Sequence, residues 1–390
     1  MARRSDAPAL FGGGNEFRAR VRRIRLVRRW DQPQLAEQAG ISPGLVSGIE
    51  TGKVTASTDQ IQAIAAALRY RPEFLVREMR LTETTRPWLR AYADASKREA
   101  DARRAFATLA MEYVRGLSLR PTPDLIPHFV GDLDDDHDVD DAAAELRQLA
   151  GIDSDSVVGD MIRAAESVGC VVLPFDSEMG RHLGMSVRAD QLPLICVAKG
   201  GIPGDRQRFT VAHELGHLIL HADAAPPRDS AAAAAMERQA NRFAASFLAP
   251  GDAILESLHE IARGRVTLGG LADIKEIWGV SIKGLVGRFR ELGEIDAAQA
   301  QSLYRQISSR KWTKVEPIEV PTEQGTWFGR AVSLDAHTES LTEACRTCAD
   351  RLGGDAADLE SMTSWHTRDA DVVTLAGRRV SKPSSRGGRP

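Results

Sequence analysis

Two histidines four residues apart, with a glutamate directly after the first, form the chemically most suggestive stretch of this chain: His213-Glu214-x-x-His217. On an α-helix, residues four apart share a face, so two neutral imidazoles can converge on one ion. That donor pair suits Zn²⁺, and Glu214 projects beside the metal, where it can take a proton from a water molecule. Val211, Ala212, Leu215, Leu218 and Ile219 supply the apolar side of such a helix.

A catalytic zinc takes three protein ligands and leaves one position open. Glu237 is the candidate third ligand, in an alanine-rich segment of strong helix propensity running from Ala231 to about Leu248. Asn241, four residues further on, lies on the same face and can accept a hydrogen bond from the outer nitrogen of a metal-bound histidine. His221 repeats the four-residue step and rivals Glu237. The extended motif needs glycine at 220 and histidine at 223, whereas the chain has Leu220 and Asp223. His221 therefore reads as a cap on the helix end. His221, Arg206 and Arg208 are the candidates for stabilising an oxyanion, and the sequence does not choose among them.

The two blocks, Arg208 to His221 and Glu237 to Pro250, resemble the ImmA/IrrE family of zinc peptidases over roughly 170–260. The resemblance implies gluzincin-like proteolysis of a transcriptional repressor. One departure is the block's end, Phe247-Leu248-Ala249-Pro250, where the family usually carries a methionine before the proline. That change touches packing rather than chemistry.

Upstream of the zinc motif, Val171–Phe175, Leu183–Val187 and Leu194–Val197 read as short strands. A small sheet beside the metal helix would let an edge strand pair with an extended peptide. Downstream, Ala253–Arg263, Leu268–Trp278 and Ile282–Leu292 read as helices. The last two have a helix-turn-helix look and are expected to dock on the peptidase core.

The N-terminal stretch has its own pattern. Phe17, Val21, Ile24 and Val27 alternate with arginines as a basic amphipathic helix. Asp31 can cap a second helix that stops at Gly40; Ser42, followed by Pro43, caps a third ending near Glu50. Helix, glycine turn and capped helix at this spacing make a helix-turn-helix. The wording from Asp31 to Lys53 resembles the XRE (Cro/repressor-like) family over 15–78. By that resemblance, the helix from Ser42 to Glu50 enters the major groove, with Gln32 and Gln34 fixing a phosphate or base position. Gly44 and Gly48 stand where base-reading side chains often project, which leaves Pro43 and Ser47 as readers, with Lys53 beside them.

Trp88, Tyr92, Ala95, Phe106, Leu109, Ala110, Tyr113 and Leu117 form an imperfect stripe on a long helix over 80–118, read as a spacer or dimer helix. Prolines and the aspartate run Asp132–Asp138 follow. The run lacks the glycine and terminal glutamate of a calcium loop and reads as a solvated hinge.

Net charge is −3 at pH 7 and names no partner, yet residues 1–30 carry nine arginines against Asp6 and Glu16. Four cysteines, Cys170, Cys196, Cys345 and Cys348, are too few for a disulfide framework, and no apolar run has the length of a membrane span. A cytoplasmic protein is expected, without a membrane partner.

The expected fold is mainly α with a small β-sheet (α+β). An all-α helix-turn-helix domain spans 15–78, and a helical spacer and acidic linker span 80–140. A gluzincin-like metallopeptidase domain with a helical extension covers 141–320. The region 321–390 is uninformative and ends in a disordered basic tail. The expected function is a DNA-binding transcriptional regulator that uses Zn²⁺ to cleave a repressor-type protein. Its partners are a double-stranded DNA operator, that substrate and a second copy, since such modules read paired half-sites. The alternative is a non-proteolytic regulator whose zinc-peptidase-like fold senses a ligand or metal.

Overall fold

The computed structural model describes residues 14–78, 97–176, 183–189, 191–222, 224–225 and 227–365. Its first unit is five helices: α1 Gly14–Val27, α2 Gln32–Ala39, α3 Pro43–Glu50, α4 Thr58–Leu68 and α5 Pro72–Val76. Local chemistry sets their ends. Asp31 and Gln34 form a capping box at α2, Gly40 closes it in the left-handed region, and the Ser42 side chain caps α3. Val21, Ile24, Leu35, Val46, Ile64 and Leu68 are fully buried between the helices, each such side chain contributing about 1.5–3 kcal/mol. Arg25 grips both oxygens of Glu50 at 2.6 and 2.8 Å, tying α1 to the end of α3.

Helix α6, Lys97–Gly116, follows. Of the stripe predicted for this stretch, Trp88, Tyr92 and Ala95 lie outside the described residues. The rest is not an exposed connector: Phe106, Leu109, Ala110, Met111, Tyr113 and Val114 are buried. Glu112 of α6 accepts from Arg20 Nε at 3.0 Å and pairs with Arg23, both on α1. The aspartate run is folded, since Asp135 caps α7, Asp136–Leu149, and Asp138 accepts from Asp132 N at 2.7 Å.

After α8, Met161–Ser167, come β1 Val171–Asp176, β2 Gly184–Ala189 and β3 Leu192–Lys199. The sheet order is β1-β3-β2, with β3 parallel to β1 and antiparallel to β2. Every residue of β3 is buried because both faces are covered. Val172, Ile195 and Val197 join the core beneath the metal helix; Leu173, Phe175, Leu194 and Cys196 join the core that contains α6 and the N-terminal helices.

Helix α9, Gly204–Leu220, carries the histidine motif; α10, Ser230–Leu248, packs against it. Then follow α11 Gly251–Ala262, α12 Leu268–Trp278, α13 Ile282–Glu291 and α14 Ala297–Ser309. Gly279 turns α12 into α13 at φ +64°. This second helix-turn-helix is docked on the core, with Ile282, Leu285, Val286 and Phe289 all buried.

The C-terminal stretch forms α15 Trp327–Ala336, α16 Leu341–Leu352 and α17 Ala356–Thr363. Both α15 and α17 lie on β1. Between α16 and α17, the Asp355 carboxylate receives Arg28 at 2.6 Å and Arg69 at 2.6 and 2.9 Å from the first unit. These helices thus bridge the N-terminal unit and the sheet. The expected tail, 366–390, lies outside the described residues. Among the described residues, no helix is long and apolar enough to cross a membrane.

Candidate metal centre

Helix periodicity stacks His213 and His217, and glycine then lets the second helix close in. A Cβ on Gly216 would meet Phe243 Cδ1 at 3.1 Å, Phe243 Cβ at 3.2 Å and the Ala240 backbone at 3.3 Å. That close approach of α10 brings Glu237 to the pair. The imidazole Nε2 atoms lie 3.1 Å apart, and Glu237 reaches each with one oxygen at 3.5 Å. Ligands about 2.0–2.2 Å from a tetrahedral zinc stand roughly 3.3–3.5 Å from one another, so this triangle has the size of one face of such a cage. The donor set of two imidazoles and a carboxylate fits as well. No other group of three metal-competent side chains occurs among the described residues.

Access is uneven. The His217 side chain is 3 % exposed, while His213 and Glu237 keep 12 % and 17 %. Burial holds the His217 ring neutral, with its pKa lowered to about 4, which leaves a lone pair for a metal. Burial alone would raise the Glu237 carboxyl, but the imidazoles facing it outweigh burial and hold it low.

Glu214 turns from the same helix toward the sheet. The Ser186 hydroxyl on β2 donates to its Oε2 at 2.6 Å. Its other oxygen sits over Gly184, where a Cβ would come within 2.8 Å of Oε1. Burial, opposed by His213 and by the Ser186 bond, lifts the Glu214 carboxyl to about 7. The buried guanidinium of Arg103, from α6, is another charge that Glu214 feels.

Behind the triangle the structure departs from the sequence reading. The outer nitrogen of His217, Nδ1, meets His221 Nδ1 at 2.9 Å, and His221 Nε2 meets Gln239 Oε1 at 3.0 Å. Gln239 Nε2 donates to the Leu133 carbonyl at 3.0 Å. Asn241, expected to support a ligand histidine, is not the acceptor: His217 Nδ1 is on His221, and His213 Nδ1 has no hydrogen-bond partner among the described residues. Its four-residue spacing from Glu237 gave the right face but not the right neighbour. The third imidazole in the row of four-residue steps was the signal for His221. Arg208 is committed elsewhere, to Glu323 and to the Val158 carbonyl at 2.5 Å. Arg206 is exposed.

At the N-terminal unit, Pro43, Gln34 and Lys53 are exposed and Ser47 is half-buried around α2 and α3. Gln32 donates to Glu50 at 2.9 Å, and the Gln34 amide serves the capping box. Gly48 has a packing reason, because a Cβ there would lie 2.7 Å from Val54 Cγ2.

Compared with protein-family models, residues 16–78 match a helix-turn-helix domain and residues 165–289 match an IrrE N-terminal-like domain. No curated protein and no solved structure matches the chain. The chain thus joins a helix-turn-helix domain, of a kind that binds double-stranded DNA, to a metallopeptidase-like domain.

Proposed function

We propose that this chain is a DNA-binding transcriptional regulator whose second domain is a zinc-dependent peptidase that cleaves a repressor-type protein and so relieves repression. The observation that carries the reading is the triangle of His213, His217 and Glu237, with edges of 3.1, 3.5 and 3.5 Å. These three residues would hold the metal. Bound zinc supplies Lewis acidity, polarising a peptide carbonyl and lowering the pKa of a water towards about 7. Glu214 takes the proton of the attacking water and hands it to the leaving amine. Strand β2, at one edge of the sheet and packed against α9, offers backbone groups to an extended substrate.

The test is Glu214→Gln. Elemental analysis should find zinc retained, duplex DNA should still bind, and cleavage of candidate repressors should stop. Continued cleavage would remove Glu214 from its role. A second reading is favoured by one observation, the single apolar core that joins the N-terminal helices, α6 and the sheet. In that reading the metal site only reports its occupancy to the DNA-binding unit. Zinc content without chelator-sensitive proteolysis would favour it.

A further inference from the structure

The bonds behind the triangle run in an order that fixes where the protons sit. The Leu133 carbonyl can only accept, so the Gln239 amide turns Nε2 toward it at 3.0 Å and Oε1 toward His221. Reversing the amide would set two carbonyl oxygens against each other. Because Oε1 also only accepts, His221 must carry its proton on Nε2. A neutral imidazole has one N–H, which leaves a lone pair on His221 Nδ1. That lone pair faces His217 Nδ1 at 2.9 Å, so the second nitrogen must be the donor. His217 Nε2 is then left bare, and it is the atom 3.1 Å from His213 Nε2 and 3.5 Å from Glu237.

We propose that His221 and Gln239, anchored on the Leu133 carbonyl, are positioning residues that lock His217 in the Nδ1–H tautomer and so reserve its Nε2 for zinc. This deepens the peptidase reading and rests on it for the metal. Both histidines are buried, so water cannot substitute for the missing partner. His213 Nδ1 has no such partner among the described residues. Leu133 belongs to the aspartate-rich segment outside the IrrE N-terminal-like match. That segment is held by Asp132 N on Asp138 at 2.7 Å and by Arg242 of α10 on Asp140 at 2.6 Å. The linker between the two domains thus reaches the metal centre through three hydrogen bonds.

The experiment uses the full chain with isotope-labelled histidine, read by two-bond proton–nitrogen correlation in the metal-free state. Single histidine replacements assign the signals. His217 should carry its proton on Nδ1 and His221 on Nε2; a proton on His217 Nε2 overturns the proposal. In parallel, chelator competition measures Zn²⁺ affinity. Gln239→Leu should weaken it about 10–100-fold, the usual effect of losing such a partner, and should let both tautomers of His217 appear. Gln239→Glu keeps an acceptor against His221 Nε2 but sets an oxygen against the Leu133 carbonyl, so its affinity should fall between those of Gln239→Leu and the unaltered chain. Wild-type affinity in Gln239→Leu would count against the lock. If the unaltered protein takes up no zinc, the peptidase reading fails, while the metal-free spectra still decide the tautomer.

Discussion

Ser186 and Glu214 are joined by a hydrogen bond of 2.6 Å, from the edge strand of the sheet to the helix that carries the paired imidazoles. Strand and helix are thereby registered to each other at the residue proposed to move the proton. Gly184, two positions before Ser186 on the same strand, leaves the room that the second carboxylate oxygen occupies.

Losing that bond should therefore affect turnover and spare the metal. A hydrogen bond to a charged group contributes about 1.5–3 kcal/mol, which corresponds to about 10–100-fold in rate when it holds a reacting group. Ser186→Ala should lower the cleavage rate by that factor with zinc content unchanged. Gly184→Ala should act in the same direction, since its Cβ would press on both Glu214 and Thr210. Full turnover in both variants would show that the seat of Glu214 is unimportant.

Two glycines separate packing from helix propensity. Gly269, in α12, has open space where a Cβ would go, whereas Gly216 is closed in by Phe243 and Ala240. Gly269→Ala should raise stability by about 0.5–1 kcal/mol, as a helical glycine replaced by alanine does. Gly216→Ala gains the same propensity but forces α9 and α10 apart and widens the ligand triangle. Its zinc affinity should fall even where its melting temperature does not. Equal affinity in the two variants would mean that the helices can yield without moving Glu237.

What was legible in the sequence was local. The step of four residues, the alanine-rich segment around Glu237 and the caps at Asp31 and Ser42 all act within a turn or two of the helix they form. What stayed hidden were pairings that only tertiary packing creates. Leu133 and Gln239 are 106 residues apart, and Arg28 meets Asp355 across 327. The acidic run looked like a hinge because its charges suggest solvent. Once α10 presents Arg242 to Asp136 and Asp140, the same charges pin a helix start. Residues 327–363 offered only Cys345-x-x-Cys348, two buried cysteines on one helix, because their role is to cover a sheet face and an arginine pair.

That arginine pair gives a prediction in pH. Burial would raise the Asp355 carboxyl, but Arg69 and Arg28 outweigh it and hold the carboxyl below its ordinary value. A depressed folded-state pKa stabilises above the unfolded value of about 3.9 and is lost as pH falls through the folded one. Docking of α15–α17 on the N-terminal unit should therefore weaken only in acid, below about pH 4. Asp355→Asn should cost about 2–3 kcal/mol at neutral pH, less than the about 3–5 of a fully buried pair, because the Arg69 side chain is 61 % exposed. Asp358 beside it has its carboxyl raised by burial, so Asp358→Asn should cost less. Thermal unfolding of both variants across pH checks the order; a larger loss for Asp358→Asn would reverse the assignment.

On the DNA side, the expected contacts should divide by what already holds them. Lys53 is exposed beyond α3 and is free to meet a phosphate. Lys53→Ala should weaken binding to duplex DNA of arbitrary sequence and reduce the slope of log affinity against log salt by about 1. Gln32 is already engaged, donating at 2.9 Å to the Glu50 carboxylate that Arg25 also grips. Gln32→Ala should lower the stability of the N-terminal unit by about 1 kcal/mol and leave the salt slope unchanged. Fluorescence anisotropy over a salt series separates the two. A slope change in Gln32→Ala would mean that this side chain leaves Glu50 for the backbone of the DNA.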